Sequence, residues 1–162
     1  MLKHAFLKHK WRSLRLRVWK RRLEEQLDRL AAKTGITLPV TLVVTWGPFY
    51  NGSAMLNRTL RQARIDIQIP YDRYLTADER QVLSRYGVPQ RHLPYFILFH
   101  ECAHLADAAN LIRQAGSKGL LATSTGRAKL AKAAADYREL PFEAAADQFA
   151  SSCYRDLCKK AG

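Results

Sequence analysis

This chain of 162 residues predicts a small α+β domain. In it an N-terminal helix backs a short, twisted, mostly antiparallel sheet, and two site-bearing helices follow. Three observations carry that reading. The first thirty residues repeat their apolar positions with a helical period. Two runs, 38–46 and 64–70, are β-branched or strictly alternating. After residue 93 the chain turns to dense apolar and alanine-rich helical sequence. The length suits one domain with a core of its own, and neither an internal repeat nor a domain boundary is visible.

Leu7, Trp11, Leu14 and Val18 follow one another at spacings of four, three and four, and Leu16, Trp19, Leu23, Leu27 and Leu30 continue an offset stripe. These predict one long helix to about residue 33, with Gly35 as its C-cap. Residues 38–46 read as a buried strand that Gly47-Pro48 ends. Asn51-Gly52-Ser53 carries a turn signal, and residues 55–60 are a candidate short strand. Residues 64–70 set Ile65, Ile67 and Ile69 on one face and Arg64, Asp66 and Gln68 on the other, a half-buried strand closed by Pro70.

Thr76-Ala77-Asp78-Glu79 is a capping box that opens a short helix, and Gly87 closes it. Pro94 sits where a first helical turn accepts proline, and the apolar run 95–99 leads a buried helix to about residue 111. The glycines and hydroxyl residues of 113–126 predict a loop bordering the site. An alanine-rich helix over 127–137 and a last helix from Pro141 to about residue 159 complete the chain.

The net charge of +13 is concentrated at one end. Residues 1–22 hold nine Lys and Arg and no acid, so the other 140 residues carry 18 basic and 14 acidic side chains. This basic amphipathic extension either packs with a solvated cationic face or offers Lys8, Lys10, Arg12, Arg15, Arg17, Lys20, Arg21 and Arg22 to nucleic acid, an acidic protein or a lipid surface. Three cysteines without a secretory signal suit a reducing cytoplasm and no disulfide framework. No window approaches a transmembrane span. An Arg-rich, acid-free N-terminus also has the composition of a mitochondrial presequence.

The chemistry gathers at His100-Glu101-Cys102-Ala103-His104. On a helix, i and i+4 share a face, so both imidazoles reach one metal ion and Glu101 can take a proton from water beside it. Catalytic zinc takes three protein ligands and keeps one open position. Asp107, Glu139 and Glu143 are the acids available as the third. Glu101 is the expected general base, and Tyr137, Tyr154 and His92 are the candidate oxyanion stabilisers.

Glu143-Ala144-Ala145-Ala146-Asp147 resembles the E-x-x-x-D that gluzincin metallopeptidases place after H-E-x-x-H. That resemblance implies Zn²⁺, Glu143 as third ligand and Asp147 hydrogen-bonded to a ligand histidine. The longer stretch 143–150 is similar to the E-x-E-A-N-x-F-A signature of ImmA/IrrE-type metallopeptidases, departing from it at Ala145 and Asp147. The likeness spans about residues 38–155 and implies a small zincin-like domain. It also implies a peptide substrate, such as an intracellular DNA-binding repressor, laid along an edge strand before the motif helix; Arg64, Asp66 and Gln68 mark the expected rail. SprT-like proteases, which use a third histidine, fit less well because no histidine follows His104. The reading from another class is a nucleic-acid-binding module with a structural or vestigial metal site.

Overall fold

The structure, a computed structural model, describes residues 2–57, 59, 61–72, 74–122 and 141–161, with side chains between Lys10 and Asn110 and between Pro141 and Lys159 within those ranges. It opens with helix α1 (Leu2–Thr34), followed by strands β1 (Val40–Gly47), β2 (Asn51–Leu56) and β3 (Ala63–Pro70). Helix α2 (Ala77–Tyr86), a 3₁₀ turn (Gln90–His92), α3 (Leu93–Ala122) and α4 (Pro141–Ala161) follow. This is the α+β class expected.

The local signals act where they stand. Gly35 adopts φ 68° after α1, a left-handed conformation that a side chain would strain. Thr76 accepts from the Glu79 N–H and the Glu79 carboxylate accepts from the Thr76 N–H, closing a capping box. Gly87 closes α2 at φ 63°. One helix runs unbroken through residue 22, so the basic segment and the part of α1 that packs on the core share one rod, about 50 Å long at the usual rise.

The sheet departs from the mostly antiparallel expectation. Its order is β1-β3-β2, with β1 parallel to β3 and β2 antiparallel to it. Burial explains the arrangement. Ile65 and Ile67 are fully buried and Ile69 nearly so, and a central strand hides such side chains best. The segment Asn51-Gly52-Ser53-Ala54-Met55-Leu56 contains no β-branched residue and takes an edge. Asn51-Gly52-Ser53, which carries a turn signal, is therefore the start of β2.

Between the layers lies one core. Leu23, Leu27 and Leu30 of α1 meet Leu42, Ile65 and Ile67 of the sheet and Leu98, Phe99 and Cys102 of α3. Trp19 packs edge-on against Tyr95 with centroids 5.4 Å apart. Helix α3 extends beyond the expected end near residue 111, and residues 113–122, expected as loop, are helical. Each glycine there costs a helix only about 1 kcal/mol, which a long, already nucleated helix absorbs. The expected helix over 127–137, with Tyr137 and Glu139, lies outside the described residues.

Candidate metal centre

Helices α3 and α4 pack antiparallel, because His104 meets Glu143 while His100 meets Asp147. The apolar sequence before His100 buries α3 and holds its ligand face in one place: Leu98 and Cys102 are fully buried, and Phe96 and Phe99 almost so. On α4, Glu143, Asp147, Ala150 and Tyr154 follow at helical spacing and all face inward.

The ligand atoms converge. His100 Nε2 lies 3.0 Å from His104 Nε2 and 3.0 Å from Glu143 Oε2, and His104 Nε2 lies 3.3 Å from Glu143 Oε1. One donor atom from each residue falls within 4.8 Å of the others, so His100, His104 and Glu143 form a group that can hold a metal ion. Glu143 is 2% exposed, and among the described residues its Oε1 has no hydrogen-bond partner, the 3.3 Å approach of His104 lacking the geometry of one. A buried carboxylate oxygen left unsatisfied is costly. A cation among these atoms relieves that cost, so the donor set fits a metal.

Asp147 decides how His100 presents itself. Its Oδ1 lies 2.9 Å from His100 Nδ1, which fixes the Nδ1–H tautomer and turns the Nε2 lone pair toward Glu143 and His104. Burial alone would lower the His100 pKa, but the Asp147 hydrogen bond and the charges of Glu101, Asp147 and Glu143 leave it raised. The His104 pKa is lowered, first by burial and then by the charge of His100. Replacing Asp147 with alanine is expected to weaken metal binding by about 10- to 100-fold with the fold retained, as loss of an orienting partner does. Competition against a chromophoric chelator, alongside circular dichroism, measures both.

Glu101 points into the same cleft, a space of about 130 Å³ bordered by Tyr50, Gly52, Phe96 and Ile97 as well as His100 and Glu143. Burial pushes its carboxyl up to about 7; His100 opposes the rise, Glu143 adds to it, and a hydrogen bond from the Ala54 backbone opposes it. At neutral pH such a group can both accept and release a proton. Its partner Ala54 belongs to β2, so the edge strand and the acid are in direct contact.

Two residues of this site have roles that short-range reading missed. A Cβ on Gly52 would stand 2.4 Å from Ile97 Cγ2 and 2.7 Å from Glu101 Oε1, so only glycine lets β2 come this near α3. An isolated glycine inside a strand is the signal for such an approach, but here it sits in an Asn-Gly pair that also reads as a turn. Gly52→Ala is expected to destabilise by about 1–3 kcal/mol through overpacking and to displace Glu101, as chemical denaturation would register. Glu79 does more than cap its helix. It is 6% exposed, lines the same cleft, and accepts from the Tyr50 N–H at 2.8 Å, tying α2 to the entry of β2.

Other expected site residues lie elsewhere. Strand β3 is central, with both backbone edges paired, so it cannot serve as the rail. Arg64 and Asp66 form an ion pair at 2.7 Å, Gln68 donates to the Phe49 carbonyl, and none of the three borders the cleft. The edge strand beside the motif helix is β2. His92 and Tyr154, expected near the reacting carbonyl, bond to each other at 2.7 Å, two helical turns away from His100. Burial lowers the His92 pKa and helps push the Tyr154 hydroxyl up to about 12. Asp107 is exposed on the far turn of α3 and is not in the ligand group. All three cysteines are free, and burial pushes the Cys102 thiol up to about 12, leaving it an inert core residue.

Compared with known proteins, the chain matches no protein-family model, no curated protein and no solved structure. Among the described residues, no helix is long and apolar enough to cross a membrane.

Proposed function

We propose that the chain is a zinc-dependent hydrolase. Within that class we assign it as an endopeptidase of gluzincin type, whose motifs resemble those of ImmA/IrrE-like enzymes. The observation that carries the reading is the meeting of His100, His104 and Glu143 in one cleft with the buried acid Glu101 beside them. Two imidazoles and one carboxylate suit zinc, whereas calcium and magnesium favour all-oxygen sets. When bound, zinc supplies Lewis acidity toward a carbonyl and lowers the pKa of water toward neutrality.

The chain's own groups account for the rest. Asp147 keeps His100 in the ligating tautomer. Glu101 takes a proton from the attacking water and delivers it to the departing amine, and its pKa of about 7 suits both transfers. The outer edge of β2 lies where an extended polypeptide can pair beside Glu101. By the motif resemblance, a DNA-associated regulatory protein is the proposed natural substrate.

The test uses the full chain stripped of metal with a chelator and reloaded with zinc, incubated with unfolded casein and read by gel and mass spectrometry. Fragments should appear with zinc and not without it. A protein that binds one zinc per chain yet leaves casein and a panel of unfolded proteins intact would sink the endopeptidase reading.

A further inference from the structure

The first half of α1 carries apolar side chains that the core does not use. Trp11 is 65% exposed, Leu14 53% and Val18 42%, and their i, i+3, i+7 spacing makes them one stripe. At about 100° per residue this stripe lies roughly 150° around the helix from Leu23, Leu27 and Leu30, which face the core. It is therefore a second apolar face that looks away from the domain. Isolated exposed hydrophobics are ordinary, but an aligned set including a tryptophan marks an interaction surface.

The flanks of the stripe are basic. Arg15 and Arg22 run along one side, and Lys10, Arg17 and Arg21 along the other, with no acid before Glu24. The same character continues onto the neighbouring end of the sheet. Arg12 sits over the half-exposed ring of Tyr71 at 4.7 Å, and Arg15 over Trp46 at 5.4 Å. An apolar line with tryptophan, bordered on both sides by Arg and Lys and joined by a surface tyrosine, is the pattern of a helix that lies in a lipid interface.

We propose that the outward face of α1 docks the protein on an anionic lipid surface. Trp11, Leu14 and Val18 enter the boundary between headgroups and acyl chains, while the flanking cations meet lipid phosphates. Charge alone would equally suit nucleic acid. A polyphosphate backbone, however, offers no apolar medium for Leu14 and Val18, and a bilayer offers both phosphate and hydrocarbon. This docking does not depend on the metal chemistry, and Glu101→Gln should leave it unchanged.

The experiment is co-sedimentation of the full chain with vesicles of phosphatidylcholine alone or mixed with phosphatidylglycerol. Binding should need the anionic lipid and weaken as salt is raised. The double substitution Trp11→Ser, Leu14→Ser should weaken it about tenfold or more, from the lost burial of two large side chains. These positions are exposed, and an unchanged circular dichroism spectrum shows that the fold survives. Brominated lipids should quench tryptophan emission in the wild type and clearly less in Trp11→Phe. The proposal is overturned if anionic vesicles do not bind, or if binding is indifferent to the double substitution and Trp11 stays unquenched. Tight binding of a single-stranded oligonucleotide or an acidic peptide without vesicle binding would assign the face to that partner instead.

Discussion

Glu143→Ala is expected to abolish stoichiometric zinc uptake. Glu143 is the only acid in the ligand group, and its two oxygens approach both histidines at 3.0 and 3.3 Å. Loss of a mere orienting partner weakens metal sites by about 10- to 100-fold, so loss of a ligand should exceed about a hundredfold. The readouts are metal content after dialysis and the change in melting temperature with added zinc. A wild-type protein saturated at about 100 times its Kd gains about 2.7 kcal/mol, and the variant should gain almost none at the same concentration. Retention of one zinc per chain by Glu143→Ala would remove it from the ligand set.

The second large effect concerns Glu101. Glu101→Gln keeps the size of the side chain and an oxygen for the Ala54 N–H, but it cannot accept a proton. On the proposed peptidase function, peptide cleavage should fall by about 10²- to 10⁴-fold, the usual worth of a positioned general base, while zinc content stays at the wild-type level. The fold should tolerate the change, since burial already disfavours the charged form of this acid. Cleavage at the wild-type rate by zinc-loaded Glu101→Gln would exclude Glu101 as the base. The two variants separate the roles: one loses metal and activity together, the other activity alone.

Much of the centre was legible because its parts are local. His100 and His104 are one turn apart on a single helix, and Glu143 and Asp147 are one turn apart on another. The choice among Asp107, Glu139 and Glu143 was not open to spacing alone, since it depends on how α4 lies across α3. The observed crossing places Glu143 against both histidines. Gly52 and Glu79 show the same limit. Glu79 reads correctly as a capping acid, whereas Gly52 reads locally as a turn former and instead lies in strand β2; Gly52 stands against Ile97, 45 positions away, and Glu79 accepts from Tyr50, 29 positions away.

By itself the sequence determined helices α1, α2 and α4 and the start of α3, the capping box, the alternating faces of β3, the His-Glu-x-x-His motif and the location of the charge. All of these follow from periodicities and hydrogen bonds that close within a few residues. Only the tertiary structure decided that β3 lies at the centre and β2 at the edge, because strand order is set by which faces can be buried together. Only it paired His92 with Tyr154, away from the ligands. It alone turned Trp11, Leu14 and Val18 outward, since a single helix pattern with two apolar stripes does not say which of them the core will cover.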